Sequence, residues 1–390
     1  MTATPQERRI AIRVIVCFGI VSFFADMTYE GAHSIIGPFL EGLKASAFQV
    51  GLISGFGEMI AASLRFFTGR LVDRTRAYWT MAILGYGLNL IVVPALAFAG
   101  NWQAAALLIV AERTGKGIRG PARDVLLSEA TNYVGHGWGF GLHAAMDQTG
   151  AVVGPLLMAF AVARSQNFGT AFLVLGIPAI GALGALLFAR AIHPFKAHPP
   201  KPQAPQPLPR VFWIYIVAAG ILALGFVDFP LLAYHFEKTH LMDRAMIPLL
   251  FAMAMAVNGL VAFVFGRLFD RWGLGVLTVG ILLSVAALPL GFLGGRTAAI
   301  ASVALWATGM GAQDGTLRAG ISQVVSMNKR GTAFGAFNGL YGLTWFLGST
   351  TMGLLYDHWL MGLVLFGVAA QLVAAGMFFW LRSPLSRASA

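Results

Sequence analysis

The chain is 390 residues long, 57% hydrophobic and only 11% charged, where a soluble chain carries about 25% charged residues. With a mean hydropathy of +0.74 and 47 glycines, this composition excludes a soluble globular domain and fits helices packed in lipid, where small residues let backbones approach. The net charge of +11 marks no nucleic-acid surface, because the cations are dispersed among alternate loops, and a lone cysteine, Cys17, excludes internal disulfides and the usual cysteine-rich zinc sites.

Apolar runs long enough to cross a bilayer, roughly 20 residues, fall at about 10–40, 47–70, 78–99, 102–130, 138–163 and 168–191. A second set falls at about 211–236, 246–268, 275–294, 298–325, 332–356 and 361–381. The expected fold class is an all-α membrane protein of about twelve helices. The N-terminal segment lacks a signal-peptide cleavage pattern, so the first helix is expected to stay in the mature protein. Between the sets, the proline-dense stretch His193–Pro207 cannot hold a regular helix. The expected organisation is therefore a six-helix bundle over 1–192, an extended cytoplasmic linker over 193–210 and a second bundle over 211–390.

Cations concentrate on one side of this topology: Arg8, Arg9, Arg70, Arg74, Arg76, Lys196, Lys201, Arg210, Arg267, Arg271, Lys329, Arg330, Arg382 and Arg387. The other loops hold only scattered ones such as Lys44, Lys238, Arg244 and Arg296. The positive-inside rule then puts both termini in the cytoplasm, with a bacterial inner membrane as the expected location.

The two sets are related in sequence. Gly69-Arg70-Leu71-Val72-Asp73-Arg74 recurs as Gly266-Arg267-Leu268-Phe269-Asp270-Arg271, each at the end of an apolar run. At nearly the same offset, Thr114-Gly115-Lys116-Gly117 matches Thr308-Gly309-Met310-Gly311, and Gly141 and Gly154 match Gly335 and Gly348. Asp26 and His33 likewise match Asp228 and His235. A duplicated bundle with a site between its halves is a common construction of secondary transporters.

Ionisable groups at membrane depth are costly, so those inside the runs are the candidate site. On the first helix Asp26, Glu30 and His33 share one face at i, i+4 and i+7. Carboxylates and imidazoles in a shielded cavity have pKa values open to shifts that suit reversible protonation. Asp26, Glu30 and Asp228 are thus candidate proton carriers. Two other readings stay open: a divalent-metal site built from Asp26, His33, Asp228 and His235, and plain interhelical hydrogen bonding. On the fourth helix Glu112, Lys116, Arg119 and Arg123 share a face, with Arg113 and Asp124 on the adjacent stripe. From Arg119 onward this face could lie in the interior or at the cytoplasmic interface. Glu58 shares a face with Arg65 on the second helix, and Asp147 on the fifth is a candidate counter-charge for Arg113 or Lys116. Asp314 and Arg318 extend the polar set on the tenth. The candidate substrate-binding residues are therefore Asp26, Glu30, His33, Glu58, Glu112, Arg113, Lys116, Asp147, Asp228 and His235.

Three stretches resemble the major facilitator superfamily, and the likeness covers nearly the whole chain. Gly69 to Arg74 resembles that superfamily's loop 2–3 signature, although Arg76 stands where the pattern has a later glycine; the second copy keeps Gly273. Arg113-Thr114-Gly115-Lys116-Gly117 resembles a second signature, with Lys116 in place of a glutamine. Gly150-Ala151-Val152-Val153-Gly154-Pro155 resembles the antiporter signature, though Met158-Ala159 stands where a further glycine pair is usual. The resemblance implies two pseudo-symmetric six-helix bundles that alternate access to a central cavity lined by helices one and seven. It implies gating by Gly69, Asp73, Arg74, Gly150, Gly154, Pro155, Gly266, Asp270 and Arg271, and proton coupling through Arg113 together with Asp26, Glu30 and Asp228.

The expected function is proton-coupled export of a small organic solute, anionic or zwitterionic given the cationic fourth helix. Divalent-metal export through the Asp/His pairs is the alternative. The expected partners are this solute, protons and membrane lipids, with no cofactor, no resident metal and no nucleic acid, in a monomer. No Ser-His-Asp order, HExxH or phosphate-cradling glycine loop suggests an enzyme.

Overall fold

A computed structural model describes residues 4–192, 208–325 and 329–388. Among these, the chain is helical from end to end. The first half runs α1 (Pro5–Gly42), α2 (Ala47–Thr75), α3 (Tyr78–Ala95), α4 (Trp102–Thr131), α5 (His136–Ser165), α6 (Phe168–Val174) and α7 (Gly176–Ile192). The second runs α8 (Arg210–Gly225), α9 (Phe229–Lys238), α10 (Met246–Trp272), α11 (Gly275–Val285), α12 (Ala287–Leu293), α13 (Arg296–Val324), α14 (Arg330–His358) and α15 (Leu360–Ala388). Most of the linker expected over 193–210 lies outside the described residues.

Three expected spans are not single helices. Two breaks have a covalent cause: Pro178 and Pro289 lack an N–H and crowd the carbonyls of Val174 and Val285, which are the last residues of α6 and α11. The third span, expected unbroken over 211–236, opens at Phe226–Asp228, with α9 starting next to Pro230. Side chains satisfy the carbonyls freed there. Gln371 Nε2 donates to Gly225 (3.0 Å) and the Trp306 indole donates to Val227 (2.8 Å). Paired as α6–α7, α8–α9 and α11–α12, the helices make twelve rods, of which nine carry an apolar window long enough to span a membrane. The charged α4 is one of the three that do not. Phe98, Leu107, Ile177 and Ile180 are large apolar side chains standing outward on these rods, as lipid-facing positions do.

By contact the chain forms two compact units, each drawing on both halves of the repeat. One comprises Met1–Phe39, Ile60–Lys201 and Arg244–Ala252. Its core packs Ile15, Phe18 and Val21 of α1, Tyr86 and Leu90 of α3, Leu126 of α4 and Leu186 of α7. The other comprises Leu40–Met59, Pro202–Asp243 and Met253–Ala390, with a core of Phe212 and Tyr215 (α8), Ile281 (α11), Ile321 (α13) and Phe378 (α15). The two cores draw on equivalent helices of the repeat.

Equivalent positions also make equivalent contacts. A Cβ on Gly154 would overlap the Met27 carbonyl, and one on Gly348 would overlap that of Leu224. Arg76 and Gly273 both adopt left-handed backbone, at φ 55° and 56°, one residue or so past the ends of α2 and α10. Their N–H groups bond the Val72 and Phe269 carbonyls at 2.8 Å in both cases. Gly273 is thus a left-handed helix cap, and at the matching position Arg76 takes the same conformation despite its Cβ.

Candidate functional site

The first unit holds a buried ionic network on four helices. From α1, Asp26 is 4% exposed and accepts a hydrogen bond from the Tyr29 hydroxyl. The Tyr29 ring is covered by two cations of α4: the Lys116 ammonium lies 4.7 Å from its centroid and the Arg119 guanidinium 5.1 Å. Arg119 also lies 4.4 Å from the Tyr86 ring of α3. Such cation–ring contacts strengthen where water is excluded. Of the two positions open to Arg119, the structure takes the interior, for this residue is 2% exposed.

A turn and more above, Asn89 of α3 donates to Glu112 Oε1 (2.6 Å), and Glu112 Oε2 meets Arg113 Nε at 3.3 Å. Arg113 Nη2 donates to His33 Nδ1 at 2.8 Å, which ties α4 back to α1. Below, Arg123 donates to Asp124 Oδ1 (3.0 and 2.8 Å), and His143 of α5 bonds Ser22 of α1 at 2.7 Å. Asp147 of α5 lies in the electrostatic reach of Asp26, Arg123 and His143, so the structure places this carboxylate deep in the network, at Asp26 and Arg123. Glu30 acts on Asp26 from the next turn of α1.

Two glycines make this juxtaposition possible. Gly150 and Gly154 on α5 press against the α1 backbone at Phe23 and Met27, where any Cβ would collide with a carbonyl oxygen. Asp26 lies between those two contacts, and Asp147 lies one turn before the first. The stretch resembling an antiporter signature therefore sets the α1–α5 approach at the ionic site.

In the second unit Asp228 sits at the α8–α9 break, 6% exposed, as the residue before the first turn of α9. His235 Nδ1 pairs with the Tyr356 hydroxyl at 2.8 Å, and Lys238 lies 5.3 Å from the rings of Tyr234 and Tyr356. Glu58 belongs to this unit, where its charge faces Tyr341. Asn258 donates to Asp314 (3.0 Å), and Tyr341 donates to Gln313 (2.9 Å). Among the gating candidates, Asp73, Arg74, Asp270 and Arg271 stand exposed at the ends of α2 and α10, with Gly69 and Gly266 half-buried before them. Pro155 is buried within an unbroken α5.

Among the described residues no group of three or more His, Cys, Asp or Glu could hold a metal ion. His33 is turned to Arg113 and His235 to Tyr356. Tyr29, Tyr86, Asn89 and His143 were not candidates from the sequence. Their spacing along any one helix carries no signal, because each acts across a helix–helix contact.

Long apolar rods enclosing buried charge are the construction of a multi-pass membrane transporter. The sequence model of the Major Facilitator Superfamily matches residues 18–349. An uncharacterized protein of Mycobacterium tuberculosis is 38% identical over 384 residues, spanning 96% of this chain and 94% of its own. An uncharacterized MFS-type transporter of Methanocaldococcus jannaschii is 26% identical over 366 residues, 90% of each chain. Among solved structures, a bacterial homolog of the human lysosomal transporter Spinster, inward-facing and unoccupied, matches with a TM-score of 0.73 at 14% identity, over 99% of this chain and 98% of that one.

The chain belongs to the major facilitator superfamily. It is an integral, multi-pass membrane protein that moves a small-molecule substrate by secondary transport, exposing its site to the two faces of the membrane in turn.

Proposed function

We propose that this transporter exchanges a small anionic or zwitterionic organic solute for protons, exporting the solute across a bacterial inner membrane with both termini in the cytoplasm. The observation that carries the reading is Asp26, a carboxylate buried among cations and aromatic hydroxyls on a helix that the superfamily uses to line its cavity. A buried carboxylate within the electrostatic reach of Arg119 binds either a proton or, by yielding its cation, gives way to the anionic group of a solute. Competition between the two is the minimal requirement of antiport. Asp228 at the α8–α9 break and Glu30 are the further proton-carrying candidates. Gly69 to Arg74 and their repeat copies form the cytoplasmic gate. The halves 1–192 and 211–390 are the moving bodies of the rocking cycle. The positive-inside distribution supports the orientation, and among the described residues no arrangement of donors favours metal export.

The test is efflux from proteoliposomes preloaded with a panel of amino acids and carboxylates, with cationic dyes for comparison. The reading expects an imposed proton gradient to accelerate release of anionic or zwitterionic members. Release indifferent to the gradient removes the coupling, and release of the cationic dyes alone removes the substrate class.

A further inference from the structure

Arg113 is the arginine that the resemblance marks for coupling, yet it is already engaged, in the ion pair with Glu112 and the hydrogen bond to His33. Arg119, nearly two turns further along α4, is in the opposite condition. It is 2% exposed, and its Nε and Nη1 have no hydrogen-bond partner among the described residues. The ring faces of Tyr29 and Tyr86 hold the guanidinium in place but accept none of its in-plane donors. Its position is stiff, because α3 closes on it at Gly85, where a Cβ would lie 2.5 Å from the Arg119 backbone nitrogen. On α5, Asp147, which lies in the electrostatic reach of Asp26 and Arg123, has its Oδ1 also buried without a hydrogen-bond partner among the described residues, while Asp26 on α1 is held by Tyr29.

The groups facing this spot can be counted element by element. From α1 come Asp26, Tyr29 and Glu30; from α3, Tyr86; from α4, Lys116, Arg119, Arg123 and Asp124; from α5, His143 and Asp147. Asp124 is taken by Arg123, and Lys116 lies over the Tyr29 ring. That leaves three carboxylates, Asp26, Glu30 and Asp147, and of the other two it is Asp147 that acts more strongly on Asp26. Leaving a buried guanidinium with unused donors is expensive.

We infer that Arg119, rather than Arg113, is the coupling arginine, and that Asp26 and Asp147 form a dyad on either side of it which carries one proton between them. This rests on the proton-antiport reading above. When one member holds the proton, the guanidinium serves the other. Loss of that proton to water leaves two carboxylates for one guanidinium, and the α1–α4–α5 contact must readjust. Arg119 is a positioning residue in this scheme: it acts through the dyad and need not touch the solute.

The dyad is testable without knowing the solute. In the full-length protein in lipid nanodiscs, infrared difference spectra across a pH titration report the carbonyl band of a protonated carboxylic acid. The expected wild type shows one such band. Asp26→Asn and Asp147→Asn should each abolish or displace it, since the survivor then has Arg119 to itself. Arg119→Gln should move its midpoint by about one pH unit or more, in the direction opposite to Asp147→Asn. Arg119→Lys, which keeps the charge and guards against simple misfolding, should bring the midpoint most of the way back to that of the wild type. Arg113→Gln should leave the midpoint in place. A band indifferent to Asp147→Asn, or one that moves as far with Arg113→Gln as with Arg119→Gln, overturns the dyad while leaving proton coupling intact. A wild type with no titrating carboxylic acid overturns the proton-antiport reading and the dyad together.

Discussion

At the scale of single residues, the fold is held by positions where one atom more or less decides the outcome. Gly154→Ala pushes a methyl group into the Met27 carbonyl, and overpacking of this kind costs about 1–3 kcal/mol. Thermal unfolding of the purified protein should register the loss, and transport should fall with it because α5 carries Asp147. An unchanged melting temperature would mean the α1–α5 contact relaxes freely. The left-handed caps allow a paired comparison. Gly273→Ala places a Cβ at φ 56° and should destabilise by about 1 kcal/mol, whereas Arg76→Ala, at φ 55° with a Cβ already present, should be nearly neutral in backbone terms. Equal effects at the two sites would refute the cap explanation. The face shared by Asp26, Glu30 and His33 was legible in the sequence because spacing along one helix defines it. Tyr29, which bonds Asp26 and lies against Arg119, was not. Its role depends on α3 and α4 arriving beside α1, and nothing within a single apolar run reports that arrival.

At the scale of elements, helix ends explain how the second unit includes the start of α2. Ser46 and Gln49 cap one another there, Ser46 N–H to Gln49 Oε1 at 2.8 Å and Gln49 N–H to Ser46 Oγ at 3.3 Å. Asp357, near the end of α14, accepts from the Ala47 and Phe48 N–H groups at 3.2 and 2.8 Å. A carboxylate on a helix N-terminus satisfies orphan donors and complements the dipole. Asp357→Ala should therefore cost about 1 kcal/mol, read as a lower melting temperature. Asp357→Asn, which keeps one acceptor, should recover part of it. Trp306→Phe, which removes the donor to the Val227 carbonyl at the α8–α9 break, should cost about 1–3 kcal/mol. Nine of the twelve rods were legible from apolar run length, since backbone satisfaction in lipid leaves helices as the only solution. Their interruptions were less so. Pro178 and Pro289 were visible but proline alone does not decide between a bend and a break, as the unbroken α5 around Pro155 shows. The Asp228–Pro230 pair carried the one local signal for the third break, an acidic residue ahead of a first-turn proline.

At the scale of the whole molecule, duplication is what made the architecture readable. A repeated hexapeptide at two helix ends and matched glycines in both halves related the second set of helices to the first, and the equivalent caps and crossings follow from it. Substrate identity was not readable in the same way. The network that would recognise a solute is assembled from residues on four helices, and recognition depends on angles that sequence spacing leaves free. The most direct measurement is of proton movement itself. Proteoliposomes containing a trapped pH-sensitive dye should acidify or alkalinise when an anionic or zwitterionic solute is added to one side. The Asp26→Asn variant should still exchange that solute across the membrane while moving no protons. Solute transport by the unaltered protein with no accompanying proton flux would contradict the account.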